Sequence, residues 1–349
     1  MPSQVEWVAG LSPWPEVFGL DRMRTLLASL GDPQLAYPAI HVVGTTGKGT
    51  AVRTIEELLR TQHLRVGAYL SPHVSGWSER IRIDGVEADF EAVIAGVRPS
   101  AERLEATQFE TLTAAALAAF AGEHVDAAVV EAGLGGRHDA TNVLDARVVL
   151  LTNVALEHTD VLGHSREAIA REKLAVADAA ETVVLGEPEW RRLVIGKRVI
   201  EGGAREAAEA FLGRRIDAEV TVSLAGRFER RGDDIWDGAH TPEAAEWLLE
   251  RLPRRDYVLC VSILGDKNVD GVLLRLAGAG RTLVATRSSN ARALPAAELA
   301  RRAEPYFQRV ESIEDPHAAL ARAHELGGPI LVTGSLYLLA DLASARNGV

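Results

Sequence analysis

Apolar residues in this chain fall into short unbroken runs, separated by longer stretches where they recur every three or four positions. The runs Ala39–Val43, Val66–Leu70, Ala127–Glu131, Val148–Thr152 and Thr182–Leu185 read as strands buried on both faces. Helical spacing runs through Thr50–Gln62, Glu110–Glu123 and Arg166–Ala179. This alternation predicts a parallel sheet with helices on its faces. A second alternation begins near Ile235, with strands at Asp256–Leu264, Thr282–Thr286 and Ile330–Thr333. Helices are predicted at Glu243–Leu252, Pro295–Ala303, His317–Leu326 and Leu336–Ala345. Between Glu187 and Ala225 the pattern blurs into basic residues, glycines and an alanine-rich helix around Ala204–Leu212. A domain boundary is expected near Ile216–Leu224. The fold class is therefore α/β, with a mostly parallel sheet followed by a smaller Rossmann-like α/β domain.

Composition narrows the function. The 349 residues are 47% hydrophobic and 25% charged, a globular balance with ample core. A net charge of −11 disfavours nucleic acid and anionic membranes as partners. The single cysteine, Cys260, lies in an apolar run and reads as a buried thiol, so no internal disulfide is expected. The N-terminus lacks a basic stretch followed by an apolar one, and no apolar run is long enough to span a bilayer. A cytoplasmic enzyme is the expectation.

The densest chemistry follows the first strand. His41-Val-Val-Gly44-Thr45-Thr46-Gly47-Lys48-Gly49-Thr50 joins that strand to an amphipathic helix. Glycines let backbone N–H groups turn onto a phosphate, and a helix N-terminus adds its positive end. Lys48 can reach outer phosphates and the Thr50 hydroxyl can ligate Mg²⁺. The alternative is a glycine-rich turn with an exposed lysine. Strand, glycines, lysine, hydroxyl and helix in this order favour the phosphate loop.

Other polar residues close predicted strands, where ligands gather in open α/β sheets. Glu131 ends one run and can hold a magnesium ion, or simply be solvated. His158, in Glu157-His158-Thr159, is either a metal ligand or a hydrogen-bonded structural residue. Glu172-Lys173 reads from spacing alone as a helix-surface ion pair. Asp237-Gly-Ala-His240 precedes a helix that Pro242 can start, and Arg227 lies just upstream. These three residues can reach a nucleotide across a cleft, or brace their own loops.

Together these motifs resemble the Mur ligase superfamily, and within it the folylpolyglutamate synthase/dihydrofolate synthase family. The likeness spans Phe18 to Leu339. It rests on Gly44–Thr50, Ser71-Pro-His73, Glu79-Arg-Ile81, Phe109-Glu110, Glu131–Arg137, Asp139–Asn142, Thr152-Asn153, Glu157-His158, Glu172-Lys173, Gly226-Arg227, Asp237–His240, Asp266-Lys267 and Thr333–Tyr337. The resemblance implies an ATP-binding domain over residues 1–220 and a ligase domain over residues 221–349. It implies ATP-dependent amide formation through an acyl phosphate, with glutamate the usual amine and a folate or pteroate-like carboxylate the acceptor. It places Lys48 on the phosphates, Thr50 and Glu131 at one Mg²⁺, and His158 with Ser71 at the metal between ATP and the carboxylate. Lys173 would match a lysine carbamylated in many relatives, whose anion can organise a second ion. Arg227, Asp237 and His240 would contact ATP, with domain closure assembling the site. A monomer is expected.

The chain departs from the family in several places. Thr46 and Thr50 stand where Asn and Ser are usual, Glu157 replaces an aspartate, and Thr241 replaces an asparagine. The segment between Lys173 and Arg227 is short and lacks the His-Gln and downstream Asn signature of the adenine side. Two other readings follow: the same ligase chemistry on a non-folate carboxylate, and a nucleotide-binding protein without turnover. ADP release that requires both an acid and an amine separates ligase from binder.

Overall fold

Every residue of β1 (Ala39–Val43) is buried, so this strand needs neighbours on both edges and cover on both faces. The computed structural model, which describes residues 3–344, supplies them. The chain divides into two compact units, one comprising residues up to His73 and Trp77–Val222, the other Val74–Gly76 and the chain from Ser223.

The first unit adds β2 (Val66–Tyr69), β3 (Ile81–Ile83), β4 (Val86–Glu87), β5 (Ala127–Glu131), β6 (Val148–Leu151), β7 (Thr182–Leu185) and β8 (Arg198–Glu201). They form an eight-stranded sheet in the order β4-β3-β2-β5-β1-β6-β7-β8. Only the β2–β3 and β3–β4 pairings are antiparallel. The chain leaves β1 towards β2 on one side and later continues through β6 to β8 on the other. The carboxyl end of β1 is thus a topological switch point, where a crevice opens between diverging connections. Register places Glu131 beside Val42 and Leu151 beside Val43, so the loops after β5 and β6 flank the loop after β1.

The second unit contains β9 (Glu229–Arg231), β10 (Asp234–Asp237), β11 (Val258–Val261), β12 (Thr282–Ala285), β13 (Arg309–Ser312) and β14 (Ile330–Thr333). Its six-stranded sheet runs β13-β12-β11-β14-β10-β9, antiparallel only at β9–β10. Its faces pack separate cores, one around Leu259, Val261 and Leu331 and one around Val258, Cys260 and Val332.

The α/β class and the mostly parallel sheets match the sequence expectation. Strands β3, β4, β8, β9 and β13 escaped it. The first two are very short, and β8, β9 and β13 each carry an exposed charged residue, as suits strands with an open edge. The helix expected from Thr50 begins at Lys48 and ends at Arg60. The one expected over Arg166–Ala179 ends at Leu174 and continues as a 3₁₀ turn, Ala175–Ala177. The last helix is described from Leu336 to Ser344, and its predicted end at Ala345 lies outside the described residues. No described helix is long and apolar enough to cross a membrane.

Candidate active site

The loop after β1 is shaped by two glycines with positive φ. A Cβ on Gly44, at φ +148°, would sit 1.9 Å from the Thr152 hydroxyl oxygen. Gly47, at φ +78°, turns the chain into the Lys48–Arg60 helix and serves as its N-cap. Glycine has no side chain to cap with, and no side-chain hydrogen bond closes this helix end. The first-turn N–H groups are therefore left for an anion.

The segment after β6 splints the loop. The Asn153 carbonyl accepts from Thr45 N at 3.0 Å. Its side-chain oxygen accepts from Thr46 N at 2.9 Å, and its Nδ2 donates to Thr46 Oγ1 at 2.8 Å. Threonine at position 46 thus has a polar partner for both its amide and its hydroxyl. Thr152 Oγ1 donates to Thr46 O at 2.8 Å.

Around this loop lie two cations and two carboxylates. Lys48 Nζ is 4.0 Å from Glu131 Oε1, and Glu131 Oε2 accepts from Ser71 N at 3.0 Å. Lys173 is buried and donates to the Gly44 carbonyl and to Glu157 Oε1, both at 2.9 Å. Burial pulls the Lys173 ammonium below the ordinary lysine range, against the opposing pull of Glu157. Burial pushes Glu157 up, but Lys173 and Lys48 outweigh it and hold the carboxyl below the usual range. The surface-pair reading of Glu172-Lys173 is corrected: Lys173 points into the core and only Glu172 faces outward. Glu172 Oε1 accepts from Arg137 N at 3.1 Å, which ties the loop after β5 to the Lys173 helix.

Thr50 and His158 are exposed, and His158 adopts φ +45° where the Thr159–Leu162 helix begins. Among the described residues no three His, Cys, Asp or Glu side chains converge as a metal cage. Glu131 and Thr50 offer oxygen donors, which Mg²⁺ prefers. Mg²⁺ commonly takes one or two carboxylates and completes its shell with phosphates and water. The donor set fits a nucleotide-borne Mg²⁺.

In the second unit, Asp237 ends β10, His240 follows three residues later, and Arg227, just ahead of β9, acts electrostatically on Asp237. Asp237 is buried and accepts from Phe228 N at 2.7 Å and Ala239 N at 2.8 Å. Burial raises its carboxyl above the usual range despite these bonds. His240 Nδ1 lies 2.8 Å from the Gly238 carbonyl. Thr241 caps the Pro242–Arg251 helix, accepting from Ala244 N at 3.2 Å, a task asparagine also performs.

A cleft in the first unit, with about 350 Å³ of empty space including open solvent, was not anticipated from sequence. Trp14, Phe18 and Phe109 give it apolar walls, and Glu110 and Asp139 add carboxyl groups. Asp139 is buried, which raises its carboxyl above the usual range; it accepts from Leu134 N at 2.7 Å and Thr141 N at 3.0 Å. Thr141 in turn lies 2.8 Å from Nε2 of the buried His41. Aromatic residues in an irregular N-terminal stretch carry no periodic signal, so only the tertiary structure locates this cleft.

The uncapped helix, the lysine and the carboxylates at a switch point define a nucleotide-dependent α/β enzyme. The Mur ligase middle domain matches residues 42–219, and the Mur ligase glutamate ligase domain matches residues 226–336. The chain belongs to the Mur ligase family, in its dihydrofolate synthase/folylpolyglutamate synthase branch, and is an ATP-dependent ligase forming C–N bonds. The dihydrofolate synthase/folylpolyglutamate synthase of Mycobacterium tuberculosis is 31% identical, over 90% of this chain and 84% of the relative. That alignment runs over 409 positions, so the relative holds segments that this shorter chain lacks. A structure of Mycobacterium tuberculosis folylpolyglutamate synthase complexed with ADP superposes with a TM-score of 0.89 at 30% identity, covering 99% of this chain and 97% of that one. The bifunctional folylpolyglutamate synthase/dihydrofolate synthase of Yersinia pestis, complexed with AMPPNP and Mn, gives a TM-score of 0.84 at 27% identity, covering 99% and 98%.

Proposed function

We propose that this enzyme joins L-glutamate to the carboxylate of a folate or pteroate-like acceptor. The acceptor carboxylate attacks the γ-phosphate of ATP, ADP leaves, and the glutamate amine displaces phosphate from the acyl phosphate. Both reactants are anionic, so their approach requires fixed positive charge. Lys48 and the amides of Gly44–Thr50 hold the phosphates. Thr50 and Glu131 would hold a Mg²⁺ brought in with ATP, Ser71 and His158 would be further ligands, and the ion would neutralise charge between the phosphates and the acceptor carboxylate. Arg227, Asp237 and His240 are assigned as further nucleotide contacts. A neutral Lys173 amine, favoured by burial, can add CO₂ through its nitrogen and lose one proton to solvent, and the resulting carbamate would give a second ion an anionic ligand beside Glu157. Soluble cytoplasmic operation is consistent with these small anionic substrates.

The observation that carries this reading is the uncapped N-terminus of the Lys48–Arg60 helix, with Lys48 4.0 Å from buried Glu131. The aromatic cleft supports a flat ring at the other end of the acceptor. The test combines MgATP, L-glutamate and either dihydropteroate or a reduced folate, and follows phosphate and product mass. A product one glutamyl unit heavier, missing in Lys48→Ala, is expected. Phosphate release only with some other carboxylic acid would refute the folate acceptor and keep the ligase.

A further inference from the structure

Residues 153–158 hold much of the site together. Asn153 and Ala155 bond the phosphate loop, Ala155 N donating to Thr45 Oγ1 at 3.0 Å, and Glu157 pairs with Lys173. Yet the segment is irregular, and it lies between β6 and the short Thr159–Leu162 helix. Its anchor is Val154, a buried residue gripped at both main-chain polar groups. Val154 N donates to Glu187 Oε2 at 3.0 Å, and the Val154 carbonyl accepts from Arg166 Nε at 2.8 Å. Arg166 and Glu187 also bind each other, with Arg166 Nη2 3.1 Å from each carboxylate oxygen. Trp190 Nε1 donates to the same Glu187 Oε2 at 2.7 Å, and the Arg166 guanidinium lies 5.2 Å from a Trp190 ring centre.

We propose that Glu187 and Arg166 are positioning residues for nucleotide binding, a two-sided clamp that keeps Asn153 and Glu157 in register with Thr45, Thr46 and Lys173. A partly exposed ion pair by itself adds little. This pair differs because each partner also makes a charge-assisted bond to a main-chain group of the same residue, Val154. Any rotation about Val154 breaks both bonds and displaces Asn153, the side chain that spans Thr46. The clamp reaches the phosphates only through these neighbours, so it acts on nucleotide affinity and leaves the aromatic cleft alone. The inference rests on the proposed phosphate-binding role of the Gly44–Thr50 loop.

The experiment measures the MgADP dissociation constant by calorimetry, together with KM for ATP and for the acceptor. Glu187→Ala is expected to weaken MgADP binding and raise KM for ATP about tenfold, the usual scale for losing an outer-shell support, with acceptor KM changed less than about twofold. Glu187→Gln keeps an oxygen for Val154 N and the indole N–H, so it should recover most of the affinity. Arg166→Met retains an apolar stem over Trp190 but loses the bond to the Val154 carbonyl, and it should shift nucleotide affinity in the same direction. It carries the test if Glu187→Ala does not fold. Unchanged nucleotide affinity in Glu187→Ala and Arg166→Met, whatever their melting temperatures, overturns the clamp and leaves the phosphate-loop reading intact. Failure of the unsubstituted protein to bind MgADP overturns the phosphate-loop reading, and the clamp with it.

Discussion

The two units use the same local plan, a buried strand running through a polar glycine-bearing loop into a helix, but they leave different groups unsatisfied. After β1 the helix begins on Gly47, which offers no side-chain cap, and a lysine follows at once. After β10 the helix begins on Thr241, whose hydroxyl accepts from Ala244 N, with Pro242 at the first position. Asp237 likewise directs both oxygens to N–H groups of nearby loops. The first junction keeps donors in reserve for an anion, and its loop is held from outside by Asn153 and Thr152. The second satisfies itself. A strand–loop–helix pattern therefore marks an anion site only when the cap is missing and something else supports the turn.

Removing the reserve at the first junction should have the largest effect. Lys48→Ala is expected to lower kcat by on the order of 10³, the scale for losing a key electrostatic contact to the transition state, with the fold retained. A tenfold loss or less would move the phosphate contact elsewhere. Next comes the buried pair beneath the loop. In protein kept free of CO₂, where Lys173 is unmodified, Lys173→Met leaves the Glu157 carboxylate without its cation and should cost roughly 3 kcal/mol in urea unfolding at neutral pH. A loss under about 1 kcal/mol would show that water reaches Glu157 freely.

The first junction should also respond to pH through β1 itself. Burial pulls the His41 imidazole down to about 3. The unfolded chain binds a proton near pH 6.5 that the folded one refuses, so stability rises with pH across this window. The contribution is complete above about pH 6.5 and is lost as pH falls towards 3, at about 1.4 kcal/mol per pH unit. His41→Gln should flatten that slope between pH 6 and 4, and an unchanged slope would assign it to the carboxylates alone.

The smallest effects compare the caps directly. A Cβ on Gly47 meets nothing within 4 Å, so Gly47→Ala carries only left-handed strain of about 1–2 kcal/mol. Thr241→Ala should cost about 1 kcal/mol through its lost cap, and Thr241→Asn should restore it. Equal stability of Thr241→Ala and Thr241→Asn would remove the capping difference on which the comparison rests.

Periodicity in the sequence was enough for the buried parallel strands of both sheets and for the phosphate loop, because such strands and glycine turns leave local marks. The same marks named Lys48, Glu131, Asp237 and His240 as residues at strand ends. Edge strands such as β8 and β13 were illegible, since an open edge tolerates charge and shows no apolar run. Spacing left Glu172-Lys173 open to a surface pair, and only the resemblance pointed Lys173 towards the site. The partners of Lys173, Gly44 and Glu157, lie far from it in sequence, and no local pattern records such a contact. The Trp14–Phe109–Asp139 cleft and the grip of Glu187 and Arg166 on Val154 are equally non-local. The sequence alone therefore determined the α/β fold class and the position of the phosphate loop, because turn chemistry and strand burial act within a few residues. Only the tertiary structure decided which charges are buried together and which helix end stays uncapped, because those depend on segments that meet only when the sheets close.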